Sequence, residues 1–230
     1  MSEPVLVAWS GGKDSALALQ AVLADPAMAI EALLTTVTRE YDRISVHGVR
    51  RSLLLAQVAA LGLPLVEMEI PADCSNATYE ENFAGALRAA RERNDRVNRC
   101  VFGDLFLEDV RRYREERLAP LGWQGVFPIW GRETSSLARA FLDDGFRAVV
   151  VCVDSTLLAP SFSGREYDAS FFDDLPGDDD PCGENGEFHT FVFDGPLFRK
   201  RVEFTVGERV TRDERFVYTD LVPRVAVASP

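Results

Sequence analysis

Few stretches of this chain leave the backbone as little choice as Val5 to Leu23. The apolar run Val5-Leu6-Val7-Ala8-Trp9 reads as a buried strand, Ser10-Gly11-Gly12-Lys13-Asp14-Ser15 follows at once, and Ala16 to Leu23 is rich in helix formers. Strand, glycine turn and helix in that order predict an α/β unit. Paired glycines let the backbone turn sharply and approach a ligand. The first turn of the helix then offers unpaired N–H groups at the positive end of its dipole. Phosphate suits such a place. Neither the Walker A spacing nor the dinucleotide fingerprint is present, so the loop is of another kind. A plain helix start capped by Ser10 or Asp14 would need neither the paired glycines nor Lys13. Lys13 supplies a point charge for phosphate oxygens, and the hydroxyls of Ser10 and Ser15 can donate to them. Asp14 would repel phosphate unless it binds Mg²⁺ or braces the loop.

Strand–helix alternation continues from there. Ala29 to Val37 is expected to form a second parallel strand, which brings Thr35 and Thr36 to the carboxyl edge that lines the ligand crevice of a doubly wound sheet. His47 to Arg51 is expected to open the next helix, with Leu54, Leu55, Val58 and Leu61 facing the sheet. Pro64 to Ile70 reads as a strand. Thr78-Tyr79-Glu80-Glu81 has the form of a capping box, and Phe83, Leu87 and Ala90 continue at helical spacing. Cys100 to Asp104 is a short strand ending at the crevice, Leu107 to Leu118 a helix, Val126 to Trp130 a strand cut by proline, and Glu133 to Asp144 a helix. Arg147 to Val153 is the most apolar strand pattern, and the alternation places it in the parallel sheet. Residues 1–154 thus predict a Rossmann-like α/β domain with helices on both faces of a parallel sheet. Beyond it, Ser161 to Asp180 reads as a loop or lid. Strand patterns at Phe188 to Phe193, Val202 to Val210 and Phe216 to Leu221 predict a smaller mixed lobe over 155–230.

Composition excludes several classes. No apolar run approaches the ~20 residues that span a bilayer, and Met1 to Pro4 carries no basic leader, so a cytoplasmic protein without membrane contact is expected. A net charge of −12 opposes nonspecific binding to nucleic acid. The four cysteines contain no Cys-x-x-Cys pair, so neither zinc nor a disulfide framework is signalled.

A second unusual stretch is Pro181-Cys182-Gly183-Glu184-Asn185-Gly186-Glu187-Phe188-His189-Thr190. Its glycines and asparagine force an irregular backbone that gathers Glu184, Glu187 and His189 where a loop enters a strand. Such a cluster can bind Mg²⁺, hold an ammonium or accept a proton, and a tight acidic turn before an edge strand is the plainer alternative.

The first stretch resembles the pyrophosphate loop of the N-type ATP pyrophosphatases, which cleave ATP between the α and β phosphates. Taken with Gly103-Asp104-Leu105-Phe106-Leu107-Glu108-Asp109 and with Cys182 to Thr190, it resembles the diphthine–ammonia ligase family over roughly residues 4 to 200. The resemblance implies adenylation of a carboxylate by ATP, release of pyrophosphate and displacement of AMP by ammonia. Ser10, Gly11, Gly12, Lys13, Asp14 and Ser15 would hold the β and γ phosphates, Thr35, Thr36 and Gly103 would lie near the nucleotide, and Asp14 would contact Mg²⁺. Lys13, Asp104, Glu184 and Glu187 would be the catalytic set. His47, Glu108, Arg111, Asn185 and His189 would meet the acid or the ammonium. ATP, Mg²⁺, a carboxylate on a small molecule or a modified protein side chain, and ammonium are the implied ligands, and a homodimer is compatible with them.

The resemblance also implies a fold of the adenine nucleotide alpha hydrolase kind. Arg- and Ala-rich usage points to a prokaryotic member. Bacteria lack diphthamide, so for a bacterial source an acid other than diphthine on elongation factor 2 is expected. Two alternatives stand beside the ligase. A tRNA thiolase would use Cys182 as its nucleophile and want a basic face. A nucleotide-binding sensor or partner module would not need the Glu184 to Glu187 cluster.

Overall fold

The computed structural model describes residues 2–224. Its first sheet has parallel strands β1 (Glu3–Ala8), β2 (Met28–Thr38), β4 (Leu65–Ile70), β5 (Arg99–Val101) and β6 (Gln124–Val126) in the spatial order β4-β2-β1-β5-β6. A two-residue strand, β3 (Arg43–Ile44), pairs antiparallel with the end of β2. Period-two alternation decides what each face covers. Val5 and Val7 of β1 join the core formed with α1 (Lys13–Ala24) and α2 (Arg51–Leu61). Leu6 joins the opposite one, with α3 (Asn76–Arg93) and α4 (Glu108–Leu118). Parallel strands with helices on both faces make the expected Rossmann-like domain.

From β4 the chain crosses to the far side of β1 to lay down β5. The order therefore reverses between β1 and β5, and the crevice outside their carboxyl ends is where such sheets bind ligands.

A second sheet is wholly antiparallel, in the order β8-β7-β10-β9: β7 (Arg147–Asp154), β8 (Phe188–Asp194), β9 (Phe204–Arg212) and β10 (Phe216–Pro223). The apolar Arg147 to Val153 strand belongs to this sheet and not to the parallel one, because it finds partners from the end of the chain on both its edges. Helix α5 (Thr134–Asp143) precedes it, capped by Glu133, whose carboxylate accepts from Ser135 and Ser136 N–H at 2.9 and 2.6 Å. Within the expected loop at 161–180, a short helix α6 (Ala169–Asp174) packs Phe171 into the core.

Two local expectations shift. The cap of α3 is Ser75, whose hydroxyl accepts Thr78 N–H at 3.1 Å, in place of a box begun by Thr78. His47 lies before α2 in a tight turn. Val46 and Gly48 on either side of it have φ of 67° and 69°, so the chain cannot be helical there.

Candidate functional site

The first loop is held in place before any ligand arrives. Gln57, fully buried on α2, accepts Trp9 Nε1–H at 3.2 Å and donates to the carbonyls of Gly11 at 3.0 Å and Val192 at 2.6 Å. Gly11 has φ 78°, and a Cβ there would lie 2.6 Å from Gln57 Oε1, so only glycine fits. Thr35 Oγ1 donates to the Trp9 carbonyl at 2.7 Å, tying β2 to the end of β1.

The C-terminal stretch completes the loop. Thr190 accepts Lys13 N–H on its Oγ1 at 3.0 Å, and its carbonyl lies 3.2 Å from His47 Nδ1. A carbonyl can only accept, so this contact places the proton of a neutral His47 on Nδ1 and leaves Nε2 as an acceptor. The His47 and His189 rings lie with centroids 4.7 Å apart. Burial pushes the His47 imidazole down to about 4, with the nearby Lys13 charge adding to this against the Thr190 contact. Burial, His47 and Lys13 together hold His189 well below the usual histidine range.

Lys13 is buried and its Nζ lies 2.8 Å from Asp14 Oδ2. Burial alone would lower the Lys13 pKa, but the charge and hydrogen bond of Asp14 outweigh it and hold the ammonium above its ordinary value. Asp14 Oδ1 is buried with no partner among the described residues. Gly103 lies against the same helix start: a Cβ on it would come within 2.7 Å of the Asp14 carbonyl group, so the two backbones touch.

Glu184 Oε1 accepts Leu105 N–H at 2.8 Å, linking the third motif to the second. Burial pushes Glu184 up to about 7 against the pull of that hydrogen bond and of Lys13. Asp104 forms a two-point pair with Arg114 at 2.6 and 2.9 Å, and the guanidinium stacks on Phe102.

These groups line a single cavity of about 380 Å³. Ser10, Lys13, Asp14, Ser15, Thr36, His47, Gly103, Asp104, Glu184 and His189 all reach its wall. Other expected site residues stand apart from it. Gly11, Gly12 and Thr35 form the frame behind the wall. Asn185 Nδ2 donates to Glu187 Oε1 at 2.9 Å, and Glu187 is buried with its Oε2 unpartnered among the described residues. Glu108 is exposed, and Arg111 stacks on Phe127 and Trp130.

Sequence reasoning missed Arg114, Tyr79, Gln57 and Thr190 as individual site residues. Only Thr190 carried a signal, as the last residue of the third stretch. Cys182 is buried, and burial pushes its thiol up to about 12, the opposite of an activated nucleophile. No three His, Cys, Asp or Glu side chains form a metal cluster among the described residues. Mg²⁺ needs no such cluster, since it is commonly held by one or two carboxylates with substrate phosphates and water. The unpartnered Asp14 Oδ1 fits that donor set. No helix among the described residues is long and apolar enough to cross a membrane.

Comparison with known proteins gives consistent findings. A family model described as the diphthamide synthase N-terminal domain matches residues 3–122, and one described as the diphthamide synthase C-terminal domain matches residues 133–221. A diphthine–ammonia ligase from Danio rerio is 26% identical over 226 residues, covering 89% of this chain and 88% of that protein. One from Schizosaccharomyces pombe is 30% identical over 110 residues, covering 45% of this chain but 18% of that protein. A solved structure described as a predicted subunit of tRNA methyltransferase from Methanocaldococcus jannaschii aligns over 87% of this chain and 100% of its own, at 17% identity. Its TM-score is 0.41.

Proposed function

Because the chain belongs to the diphthamide synthase family, we propose that it is an ATP-dependent amide-forming ligase of the diphthine–ammonia ligase kind. In this reading a carboxylate attacks the α phosphate of ATP, pyrophosphate leaves, and ammonia or an amine then displaces AMP from the acyl-adenylate. The observation that carries it is the convergence of all three motifs on one cavity, with Thr190 seated on Lys13 N–H and Glu184 on Leu105 N–H.

Each part of the cavity has work in such a reaction. The open N–H groups at the start of α1 and the Lys13 ammonium face the β and γ phosphates and stabilise charge gathering on the leaving pyrophosphate. Mg²⁺, held by Asp14 and the phosphates, would share that charge. The wall carries the Thr36 hydroxyl together with the aromatic side chains of Tyr79, Phe83 and Phe102, a mixture that suits a nucleoside. Ammonium must lose a proton before its nitrogen can attack, and Glu184 on the cavity wall would receive it. Glu187 and Asn185 fix the turn that presents Glu184, and Asp180 adds to this by accepting Glu184 N–H at 2.8 Å. The deeply protonated Cys182 weighs against the thiolase reading. The acid remains to be identified by its ability to drive exchange of labelled pyrophosphate into ATP. Exchange that depends on an added acid supports the ligase, and release of ADP and phosphate in place of AMP and pyrophosphate contradicts it.

A further inference from the structure

The cavity that would receive a triphosphate has few positive charges to spare. Lys13 is neutralised by Asp14 at 2.8 Å, and Arg114 by the two-point contact with Asp104. Glu184 is the other acidic side chain on the wall, and the chain as a whole carries a net charge of −12. Two ionisable groups on that wall can gain positive charge without a carboxylate partner, namely His47 and His189.

Their placement is built. His47 Nδ1 is engaged by the Thr190 carbonyl, the same residue whose hydroxyl accepts Lys13 N–H. A Cβ on Gly12 would fall 2.9 Å from His47 Cε1, so the imidazole edge rests directly on the second glycine of the loop. The turn that aims it is strained: Val46, a β-branched residue, sits at φ 67°. A proton on either ring would face the other at 4.7 Å, so the pair holds one proton and not two. Lys13 opposes protonation of both rings, and the wall they share also carries Asp14, Glu184 and the paired Asp104 and Arg114.

We propose that the His47–His189 pair is the proton-loaded half of the pyrophosphate site. Neutral while the cavity is empty, it takes one proton from solvent when a triphosphate enters and holds it as an imidazolium against the phosphate oxygens. The inference rests on the ATP-ligase reading and adds a residue pair that stabilises the leaving pyrophosphate. The negative charge of the triphosphate, which Mg²⁺ offsets only in part, is brought beside the rings and reverses the balance that keeps them neutral. By linkage, nucleotide affinity then rises as pH falls, by up to about tenfold per pH unit between the empty-state and bound-state midpoints.

The chain contains two histidines, so their imidazole NMR signals can be followed in the full-length protein without a crowded spectrum. The measurement is a pH titration of both rings, free and saturated with Mg²⁺ and α,β-methylene-ATP, with AMP as the ligand that lacks the pyrophosphate. The expected result is that one imidazole's midpoint moves up by about one pH unit or more with the triphosphate analogue and stays in place with AMP. Calorimetry in buffers of different ionisation enthalpy should show uptake of up to one proton, taken as the difference between wild type and His47→Gln/His189→Gln, which removes the nucleotide's own titration. Analogue binding with neither imidazole midpoint raised above its free-protein value, or an equal shift with AMP, overturns the proposal. An analogue that gives neither heat nor any spectral change overturns the ATP-site reading as well, which separates the two failures.

Discussion

Gln57 shows how much of a binding loop is fixed by one side chain outside it. Its amide satisfies Trp9 Nε1–H and two backbone carbonyls in a fully buried position. Gln57→Leu would leave those groups without it at almost unchanged volume, and should cost about 2–4 kcal/mol of stability. Urea unfolding measures this, and nucleotide affinity should fall with it because Gly11 loses its anchor. Glu184 offers a sharper functional test. With its proton lost near pH 7, activity with ammonia should rise with pH through about 7. Glu184→Gln should remove that limb and slow turnover on the order of a hundredfold, while acid-dependent pyrophosphate exchange, which precedes ammonia, is largely kept. A pH–rate profile that is unchanged in the variant would take Glu184 out of the proton transfer.

Among the elements, the β5–α4 loop and α1 make the closest approach of a glycine to another segment's backbone. Gly103→Ala would drive a Cβ to within 2.7 Å of the Asp14 carbonyl group, and only backbone can yield. The expected loss is about 1–3 kcal/mol in thermal unfolding, with weaker ATP binding because the helix start moves. Element types were largely legible in the sequence, since period-two runs and glycine turns are local signals. Strand partners were not. The pattern Arg147 to Asp154 is apolar enough for a buried strand in either kind of sheet, and only pairing with β8 and β10 decides. The choice of Arg111 over Arg114 has a similar cause. Helix α4 reads EDVRRYREERL, with too few apolar residues to fix its phase, so the sequence does not say which arginine faces the crevice. The His47 turn was missed because Val46 adopts a positive φ that its residue type does not announce. The three motifs were visible because their glycines and acids depart from any core pattern.

At the scale of the whole molecule, the site's titrating groups should mark its stability curve. A histidine held neutral when folded contributes stability that is present above the unfolded-state value near 6.5 and is lost as pH falls toward 4. Glu184, raised to about 7, acts in the opposite sense, since the unfolded chain loses that proton first as pH rises above about 4.5. Between pH 4.5 and 6.5 two histidines outweigh one glutamate. These groups should therefore make stability rise with pH by at most about 1.4 kcal/mol per pH unit, less for screening in an open cavity. In His47→Gln/His189→Gln the contribution of these groups should change sign, which urea titrations at pH 5 and 6 would reveal. The larger point is that residues 10–15 hold only half a site. Thr190 and Glu184, some 170 residues later, seat themselves on the backbone of the first two motifs and complete the cavity wall. The most direct measurement is ³¹P NMR of ATP turned over with Mg²⁺, ammonium and a panel of candidate acids. The account predicts AMP and pyrophosphate in equal amounts, formed only with an accepted acid and lost in Lys13→Ala. ADP and phosphate, or AMP formed equally well without any acid, would contradict it.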